Sequence, residues 1–368
     1  MTARQLRLVF SGGGTGGHIY PALSIARKFL ERHPDTDILF IGANRGMEVT
    51  LVPQAGFRLE TIDLTYLPRR PSLDQVRAVA KAIAGLRRSG HLLKNFSPDL
   101  VVGTGGYVAG PILLRAAVGG YPTLIHEQNA FPSLTNRLLG RFVRQIAVSH
   151  VAALQHFPRH KTVVTGNPVR EEILAADRIS ARRALGYQPD DFVLVVVGGS
   201  GGALGINEAV CGAYGGLIAA GIQVYHVAGK RDFEMVAARA NALASSQIRV
   251  TDYAQDMPEL WAAADLAVSR PGSTTAELAI LGVPAILIPS PIAADDHQTH
   301  NARVVADAGG ALLVPESELS AESLLQQIVD LRRDTERRAR MSDLMRTLAL
   351  PDASSHICDL MEALLPGS

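Results

Sequence analysis

Two glycine-rich turns have the composition to bind an anionic ligand. Residues 12–17 read GGGTGG after the apolar segment 6–10, and residues 198–202 read GGSGG after the segment 192–197. Glycine lets the backbone approach a ligand closely, and the N–H groups at the start of a following helix attract phosphate oxygens. The first turn also satisfies the G-x-G-x-x-G dinucleotide pattern. The next predicted strand, however, ends FIGAN and supplies no acid for a nicotinamide ribose, so we expect anion binding without that cofactor.

His18 stands where the helix after the first turn begins. The positive end of a helix dipole disfavours an imidazolium, so the ring should stay neutral and able to accept a proton. The sequence therefore predicts a general base at this position. The alternative is a histidine that caps or packs the start of the helix.

A third segment combines hydroxyl groups with a helix start. Residues 270–277 read RPGSTTAE and follow an apolar run that we interpret as a strand. The hydroxyls and N–H groups of a first helical turn point outward together, which suits a diphosphate. Glu277 lies about one turn further along, where a carboxylate can accept two ribose hydroxyls. Its alternative role is that of an acid stabilising the helix dipole.

Two further polar segments, HEQN at 126–129 and SPIAADDHQTHN at 290–301, also follow predicted strands. Ligands bind at this carboxyl edge of open sheets. The spacing of Asp295, His297 and His300 fits no metal motif, so we interpret the second segment as a hydrogen-bonding loop without a metal. HEQN lacks the two-histidine spacing of zinc proteases. The sequence contains no G-x-S-x-G elbow, Walker loop or paired-cysteine zinc site, which disfavours those chemistries.

The composition indicates a folded protein of about two domains. Of the 368 residues 47% are hydrophobic and 19% charged, and 36 Lys and Arg nearly balance 35 Asp and Glu. This balance predicts no nucleic-acid partner. Cys211 and Cys358 match no metal or redox spacing and indicate a reducing compartment. We find no signal-peptide or membrane-spanning pattern and expect a cytosolic protein.

One segment is locally basic. Residues 66–96 contain seven Lys or Arg against a single acid, Asp74, with apolar residues at helical spacing. A basic amphipathic helix of this kind can lie on an anionic membrane surface. The alternative is a surface helix whose apolar stripe packs on the protein core.

The strand, glycine turn and helix pattern occurs twice, about half the chain apart, and further apolar runs alternate with helical stretches. This alternation predicts two Rossmann-like domains, each with a doubly wound parallel sheet. We expect a first domain at 1–166, a second at 167–348, and a C-terminal helix within 349–368 that packs back on the first.

Six ordered motifs resemble the MurG family of bacterial glycosyltransferases and span nearly the whole chain. They are GGTGGH at 13–18, GTGGY at 103–107, HEQN at 126–129, TGNPVR at 165–170, GGSGGA at 198–203 and DDHQT at 295–299. The resemblance implies the glycosyltransferase B fold, with two Rossmann-like domains facing across a cleft. It implies inverting, β-1,4 transfer of N-acetylglucosamine from its UDP donor to undecaprenyl-diphosphate-linked N-acetylmuramyl-pentapeptide. It also implies a peripheral protein at the cytoplasmic face of the plasma membrane.

The resemblance also implies roles for individual residues. His18 is the expected base, with Glu127 orienting or assisting it. Glu277 would hold the ribose, Gln298 the sugar, and Arg170 the departing diphosphate, with no obligatory metal or other cofactor. The implied donor set is Thr15, Gly16, Gly17, Asn129, Arg170, Ser200, Ala254, Ser273, Thr274, Thr275, Glu277 and Gln298. The implied set for the acceptor diphosphate is Gly13, Gly14, Gly103, Thr104, Gly105, Gly106 and Tyr107.

The chain departs from the family pattern in one turn. It has one residue fewer between Gly272 and Glu277 than the family usually has, so the phosphate contact among Ser273, Thr274 and Thr275 stays open. Pro271 also stands where many relatives have a smaller or freer residue. Three other functions are alternatives: transfer to another lipid such as diacylglycerol, 2-epimerisation of UDP-N-acetylglucosamine, and a non-catalytic membrane-associated scaffold.

Overall fold

The computed structural model describes residues 5–64, 73–199, 201–254 and 256–366, with the side chains of helix Leu73–Phe96 described from Ala84 onward. The chain divides into two compact units. The first combines Met1–Arg170 with Leu350–Ser368, and the second is Glu171–Ala349. Both are α/β units built on a parallel sheet, which confirms the predicted fold class.

The first unit alternates strands and helices. Its elements before the second unit are β1 (Arg7–Gly12), α1 (Gly16–Arg32), β2 (Asp37–Ala43), α2 (Glu48–Gln54), β3 (Arg58–Ile62), α3 (Leu73–Phe96), β4 (Leu100–Gly105), α4 (Ala109–Val118), β5 (Thr123–Glu127), α5 (Leu134–Leu139), β6 (Gln145–Val148) and β7 (Thr162–Val164). The sheet order is β3-β2-β1-β4-β5-β6-β7, all parallel.

The second unit repeats the scheme. Its elements are α6 (Glu171–Leu174), α7 (Arg178–Leu185), β8 (Phe192–Val197), α8 (Leu204–Ala219), β9 (Ile222–Val227), α9 (Phe233–Asn241), β10 (Ile248–Thr251), α10 (Met257–Ala263), β11 (Leu266–Ser269), α11 (Thr274–Leu281), β12 (Ala285–Leu287), α12 (His297–Asp307), β13 (Ala311–Leu313), α13 (Ala321–Arg333) and α14 (Thr335–Thr347). The sheet order is β10-β9-β8-β11-β12-β13, again parallel.

The strand orders fix where ligands can bind. In the first sheet β1 lies beside β4, and in the second β8 lies beside β11, so that the order reverses at these pairs. In open parallel sheets ligands bind outside the carboxyl ends of the strands at such a pair. The fold thus brings together the loops after β1 and β4, and separately the loops after β8 and β11.

The chain ends on helix α15 (Ala353–Glu362), which packs against α1 in the first unit. Ile357, Cys358 and Met361 are fully buried there, and Arg32 forms an ion pair with Asp359 at 2.6 Å. Burial raises the pKa of the Cys358 thiol to about 12, so the thiol stays protonated.

The basic segment 66–96 is described only in part. Residues 66–72 and the side chains before Ala84 lie outside the described residues. In the remainder of α3, Leu92, Leu93 and Phe96 are buried in the core of the first unit, while Arg87 and Lys94 are exposed. The apolar stripe of this part therefore packs on the protein itself. Within the described residues, no helix is long and apolar enough to cross a membrane.

Candidate active site

The loops after β1 and β4 pack directly on each other; residues 11–18 and 103–107 are called the first loop pair. A Cβ atom on Gly106 would collide with the carbonyl oxygen of Gly13, and one on Gly12 would collide with Oγ1 of Thr104. Gly106 has a φ of 82°, in the left-handed region that favours glycine. The glycines are therefore needed here because the two backbones touch.

His18 lies in the first turn of α1, inside the first loop pair. Its Nδ1 lies 3.2 Å from the carbonyl oxygen of Gly13, which can only accept, and 3.5 Å from the hydroxyl of Thr15. A proton on Nδ1 makes the shorter of these contacts a hydrogen bond, so we assign the proton to Nδ1. In the neutral ring the lone pair then lies on Nε2. The ring lies over Gly105, where a Cβ atom would be 3.2 Å from Nε2. This is the tautomer that a base acting through Nε2 requires.

The hydroxyl of Thr104 connects the two loops through α1. Its Oγ1 donates to the backbone oxygen of His18 at 2.8 Å, and the residue is fully buried. The ring of Tyr107 packs beside Gly14. A Cβ atom added to Gly14 would lie 3.7 Å from a ring carbon of Tyr107. Burial raises the pKa of Tyr107, so its phenol stays protonated and can donate a hydrogen bond.

Glu127 is saturated with hydrogen bonds at the end of β5. One carboxylate oxygen accepts the backbone and side-chain N–H groups of Asn129, at 3.0 and 2.9 Å. The other accepts Ser133 N at 3.1 Å and Asn136 Nδ2 at 2.8 Å. The side chain is 1% exposed. In this arrangement the carboxylate orders the loop 128–136 and positions Asn129.

The neighbouring His126 and Gln128 link β5 to β4. Gln128 Nε2 donates to the backbone oxygen of Thr104 at 2.6 Å and contacts Nδ1 of His126 at 3.1 Å. His126 Nε2 lies 3.0 Å from the oxygen of Gly166. Burial lowers the pKa of His126 to about 4, so the ring is neutral. The sequence predicted polar side chains where a strand ends, but it did not identify Gln128 as a link between strands.

Arg170 also lies at the start of α1. Its guanidinium carbon lies 4.9 Å from the centre of the Tyr20 ring, a cation–π contact. A Cβ on Gly16 would lie 3.1 Å from the same ring. The fold thus places Arg170, Thr15, Gly16 and Gly17 around one helix start, and Tyr20 is a member of this group that sequence reasoning missed.

Glu48 is the most informative residue that sequence reasoning missed. It opens α2 and is fully buried. Its carboxylate accepts Gly14 N at 2.9 Å and Ala43 N at 3.1 Å. An acid at a helix start is ordinary, so nothing in the sequence separates it from a surface acid that stabilises the helix dipole.

The loops after β8 and β11 form the corresponding place in the second unit; residues 198–202 and 270–275 are called the second loop pair. Ser200 lies outside the described residues. Gly202 and Gly229 touch, since a Cβ on Gly229 would collide with Gly202 Cα. Both have left-handed φ values, 79° and 83°. The glycine loop after β8 is therefore fitted against the loop after β9.

A buried polar network lies beneath that contact. Asn207 donates to the oxygen of Ala228 and to Asp232, both at 2.9 Å, and its Oδ1 lies 2.9 Å from His226 Nε2. His226 therefore donates through Nε2 to Asn207. Its Nδ1 accepts from the hydroxyl of Tyr214, and these two atoms are 2.7 Å apart. Burial lowers the pKa of His226 to about 3 and keeps it neutral. These hydrogen bonds hold the loop after β9 in position beneath the glycine turn.

Replacing Asn207 by alanine should destabilise the second unit by about 1–3 kcal/mol, because buried polar groups lose their partners. Trp261, the single tryptophan of the chain, lies in this unit and makes its unfolding in urea visible by fluorescence. The control is Asn241→Ala at the exposed end of α9. Equal urea concentrations at the unfolding midpoint of the two variants would show that the network contributes no stability.

The turn at 270–275 separates its three hydroxyl residues. Thr275 is 5% exposed, and its hydroxyl donates to the oxygen of Gly272 at 2.8 Å. Ser273 and Thr274 are half-exposed at the start of α11. Thr275 therefore closes the turn, which leaves Ser273 and Thr274 as the candidates for a phosphate contact.

Glu277 is held by a residue that sequence reasoning missed. The indole N–H of the fully buried Trp261 donates to its Oε2 at 3.1 Å. Glu277 is half-buried in α11. This bond fixes the orientation of the Glu277 carboxylate in the first turn of α11.

Three side chains hold the loops around this turn. Arg270 donates to the oxygens of Ile288 and Pro289, each at 2.9 Å, and pairs with Glu316. Asn301 donates to the oxygen of Pro271 at 3.1 Å. Gln298 accepts Ser290 N through Oε1 at 2.7 Å, which directs its NH₂ group away from that backbone. Ala254, 9% exposed, lies in the loop after β10.

The segment predicted as a hydrogen-bonded loop, 290–301, is a loop only as far as Asp296, because helix α12 begins at His297. His297 Nδ1 lies 2.6 Å from the oxygen of Ala294, and Thr299 donates to Asp296 at 2.6 Å. Among the described residues, no group of three or more His, Cys, Asp or Glu is arranged to hold a metal ion. The site residues thus form two sets, one at each loop pair.

Two family models match the chain. The glycosyltransferase family 28 N-terminal domain matches residues 8–148, and the C-terminal domain of the same family matches residues 193–357. These ranges contain the first and second loop pairs, respectively.

Similar proteins of known name cover nearly the full length. The UDP-N-acetylglucosamine–N-acetylmuramyl-(pentapeptide) pyrophosphoryl-undecaprenol N-acetylglucosamine transferase of Desulforamulus reducens is 41% identical over 98% of this chain and 99% of that protein. The protein of the same name from Desulfitobacterium hafniense is 42% identical over 96% of this chain and 97% of its own length.

Solved structures agree with these relatives. The crystal structure of Acinetobacter baumannii MurG has a TM-score of 0.75 at 31% identity and covers 97% of this chain and 99% of its own. The UDP-GlcNAc 2-epimerase of Neisseria meningitidis, bound to UDP-GlcNAc, has a TM-score of 0.70 at 16% identity, covering 98% of this chain and 100% of its own, and shares the fold alone. The chain therefore belongs to the MurG family within glycosyltransferase family 28.

Proposed function

We propose that this protein transfers N-acetylglucosamine from UDP-N-acetylglucosamine to the 4-hydroxyl of undecaprenyl-diphosphate-linked N-acetylmuramyl-pentapeptide, the lipid I to lipid II step of peptidoglycan synthesis. The names of the relatives support the substrates. The structural observation that carries the proposal is His18, held at a helix start between two glycine loops with Nδ1 3.2 Å from the carbonyl oxygen of Gly13. This leaves Nε2 as the basic atom for a sugar hydroxyl.

In the proposed reaction Nε2 of His18 takes the proton of the acceptor 4-hydroxyl. The O4 oxygen forms a bond to C1 of N-acetylglucosamine as the bond from C1 to the diphosphate oxygen breaks. The electron pair of that bond leaves with UDP. Because O4 approaches from the face opposite the diphosphate, the anomeric centre is inverted.

The second loop pair is the proposed donor site. The start of α11 offers N–H groups and the hydroxyls of Ser273 and Thr274 to the diphosphate, which gains negative charge as it leaves. Ser200 belongs to the same proposed contact but lies outside the described residues. Glu277, steadied by Trp261, would accept the ribose hydroxyls. The NH₂ group of Gln298 would meet the sugar, and Ala254 the uracil.

The first loop pair is the proposed acceptor site. Gly13 and Gly14 belong to this proposed contact, in which Gly14 N already donates to Glu48. Tyr107 and the 103–106 backbone complete the proposed contact with the acceptor diphosphate. Arg170, near the start of α1, would supply positive charge for the departing diphosphate of the donor. With these groups the proposal needs no metal or other cofactor.

Because the acceptor carries a lipid, the protein must work at a membrane surface. We assign this contact to the basic segment 66–96, in which the exposed Arg87 and Lys94 belong to the described part. Anionic lipids of the cytoplasmic leaflet attract such a segment. Nucleic acid is not a partner in this proposal, since the overall charge is balanced.

The test is release of UDP from UDP-N-acetylglucosamine with and without a short-chain lipid-linked muramyl-pentapeptide. We expect release that depends on this acceptor and a disaccharide product with a β-1,4 link. Parallel reactions contain diacylglycerol or donor alone. Release of UDP with diacylglycerol, or epimerisation of the donor without any acceptor, would contradict the proposed substrate. Only the family assignment would then remain.

A further inference from the structure

The peptide bond between Gly13 and Gly14 is held at both polar ends. Its N–H, on Gly14, donates to Oε2 of Glu48 at 2.9 Å. Its C=O, on Gly13, accepts from Nδ1 of His18 at 3.2 Å. In a trans peptide the N–H and C=O point in opposite directions. A single peptide unit therefore connects the buried carboxylate to the imidazole.

The direction of this peptide decides which tautomer His18 adopts. With its C=O toward the ring, a proton on Nδ1 completes the hydrogen bond to Gly13 and leaves the lone pair on Nε2. A flipped peptide would present an N–H to Nδ1 and move the ring proton to Nε2, which could then accept no proton. Because both residues of this peptide are glycines, such a flip causes little backbone strain, and Gly14 already has a φ of 90°. Something other than local backbone preference must hold the peptide.

Glu48 is the group that opposes the flip. An ionised carboxylate only accepts, so it pairs with the N–H of Gly14 and would repel the C=O that a flip would bring to it. Its other oxygen is fixed by Ala43 N at 3.1 Å, and the side chain is fully buried. A Cβ atom on Gly13, Gly42 or Gly46 would lie within 3 Å of Glu48 side-chain atoms. Three glycines thus make room for one carboxylate.

We propose that Glu48 is a positioning residue that holds His18 in the Nδ1–H tautomer through the Gly13–Gly14 peptide. When Nε2 takes a proton, the positive charge of the ring is met by the Gly13 oxygen, which the carboxylate polarises from the far side of the peptide. The arrangement acts like a carboxylate bonded to a histidine, with a peptide unit inserted between them. The catalytic part of this inference rests on the proposed role of His18 as the base.

The first measurement is the ¹⁵N NMR spectrum of the histidine rings in the wild-type protein, which distinguishes Nδ1–H from Nε2–H. The His18 signals are those absent from the His18→Gln variant. We expect the Nδ1–H tautomer in the wild type and a mixture in Glu48→Gln, because a glutamine can satisfy only one of the two N–H groups. A wild-type ring with its proton on Nε2 overturns the proposal without any Glu48 variant.

The second measurement compares kcat and KM for Glu48→Gln with those for Asp99→Asn. Asp99 is a buried acid at the amino ends of the strands of the same sheet, where its Oδ2 accepts Arg7 N at 2.9 Å. We expect kcat of Glu48→Gln to fall about tenfold or more, with KM for the donor unchanged. Asp99→Asn should lose thermal stability and keep its kcat.

An unchanged His18 tautomer in Glu48→Gln, or a kcat no lower than that of Asp99→Asn, overturns the proposal. The experiments test the role of Glu48 and the proposed function separately. The tautomer is measured without turnover, so absence of acceptor-dependent UDP release in the wild type contradicts the proposed function and leaves the NMR result readable.

Discussion

Replacing His18 by glutamine should lower kcat by about 10²–10⁴-fold, the usual contribution of a positioned general base. The glutamine NH₂ can still donate to the oxygen of Gly13, so the loop should keep its shape. The glutamine amide is not basic enough to accept the 4-hydroxyl proton at neutral pH. Donor affinity should stay near the wild-type value, because the proposed role of Nε2 is toward the acceptor hydroxyl and the proposed ribose contact, Glu277, belongs to the second unit. Turnover by UDP release and UDP binding by calorimetry measure the two quantities.

The matched control is His33→Gln. His33 follows the last turn of the same helix, where its Nε2 lies 2.9 Å from Glu362, far along the chain from the first loop pair. It should keep wild-type turnover. A fall in kcat of less than tenfold for His18→Gln, with unchanged donor affinity, would remove His18 as the base.

Gly106→Ala should disrupt the first loop pair, and Gly120→Ala provides a matched comparison. The two glycines have nearly the same φ, 82° and 81°, so alanine carries the same backbone strain at both. At Gly106 the new Cβ collides with the oxygen of Gly13, whereas at Gly120 no atom lies within 4 Å. We expect Gly106→Ala to cost about 1–3 kcal/mol more than Gly120→Ala, as overpacking does.

The larger effect should appear in catalysis. Pushing the two loops apart moves the Gly13 oxygen that orients His18, so kcat/KM for the lipid acceptor should fall strongly in Gly106→Ala and little in Gly120→Ala. Thermal unfolding and acceptor titration of both variants measure this difference. Similar kcat/KM values would mean that the contact between the loops is not needed for the reaction.

Much of the fold follows from local patterns in the sequence. The segment 192–197 is a short run of apolar, mostly β-branched residues, and it forms the buried strand β8. Glycine turns after such strands, followed by helices, require parallel pairing and crossover connections, so the two sheets could be predicted. His18 could be singled out because its position at a helix start depends only on neighbouring residues.

The tertiary structure decided which polar groups are already in use. Glu48 bonds to Gly14, 34 residues away, and Asn207 bonds to Asp232, 25 residues away. Glu127, which the resemblance implied as a group that orients or assists the base, accepts four N–H donors at the end of β5 and orders the loop that follows. A side chain's partners depend on which strands become neighbours, and the sheet order brings together residues that are distant in the chain. The sequence alone therefore determined the kinds of loop and the candidate base, whereas packing decided which carboxylate orients that base.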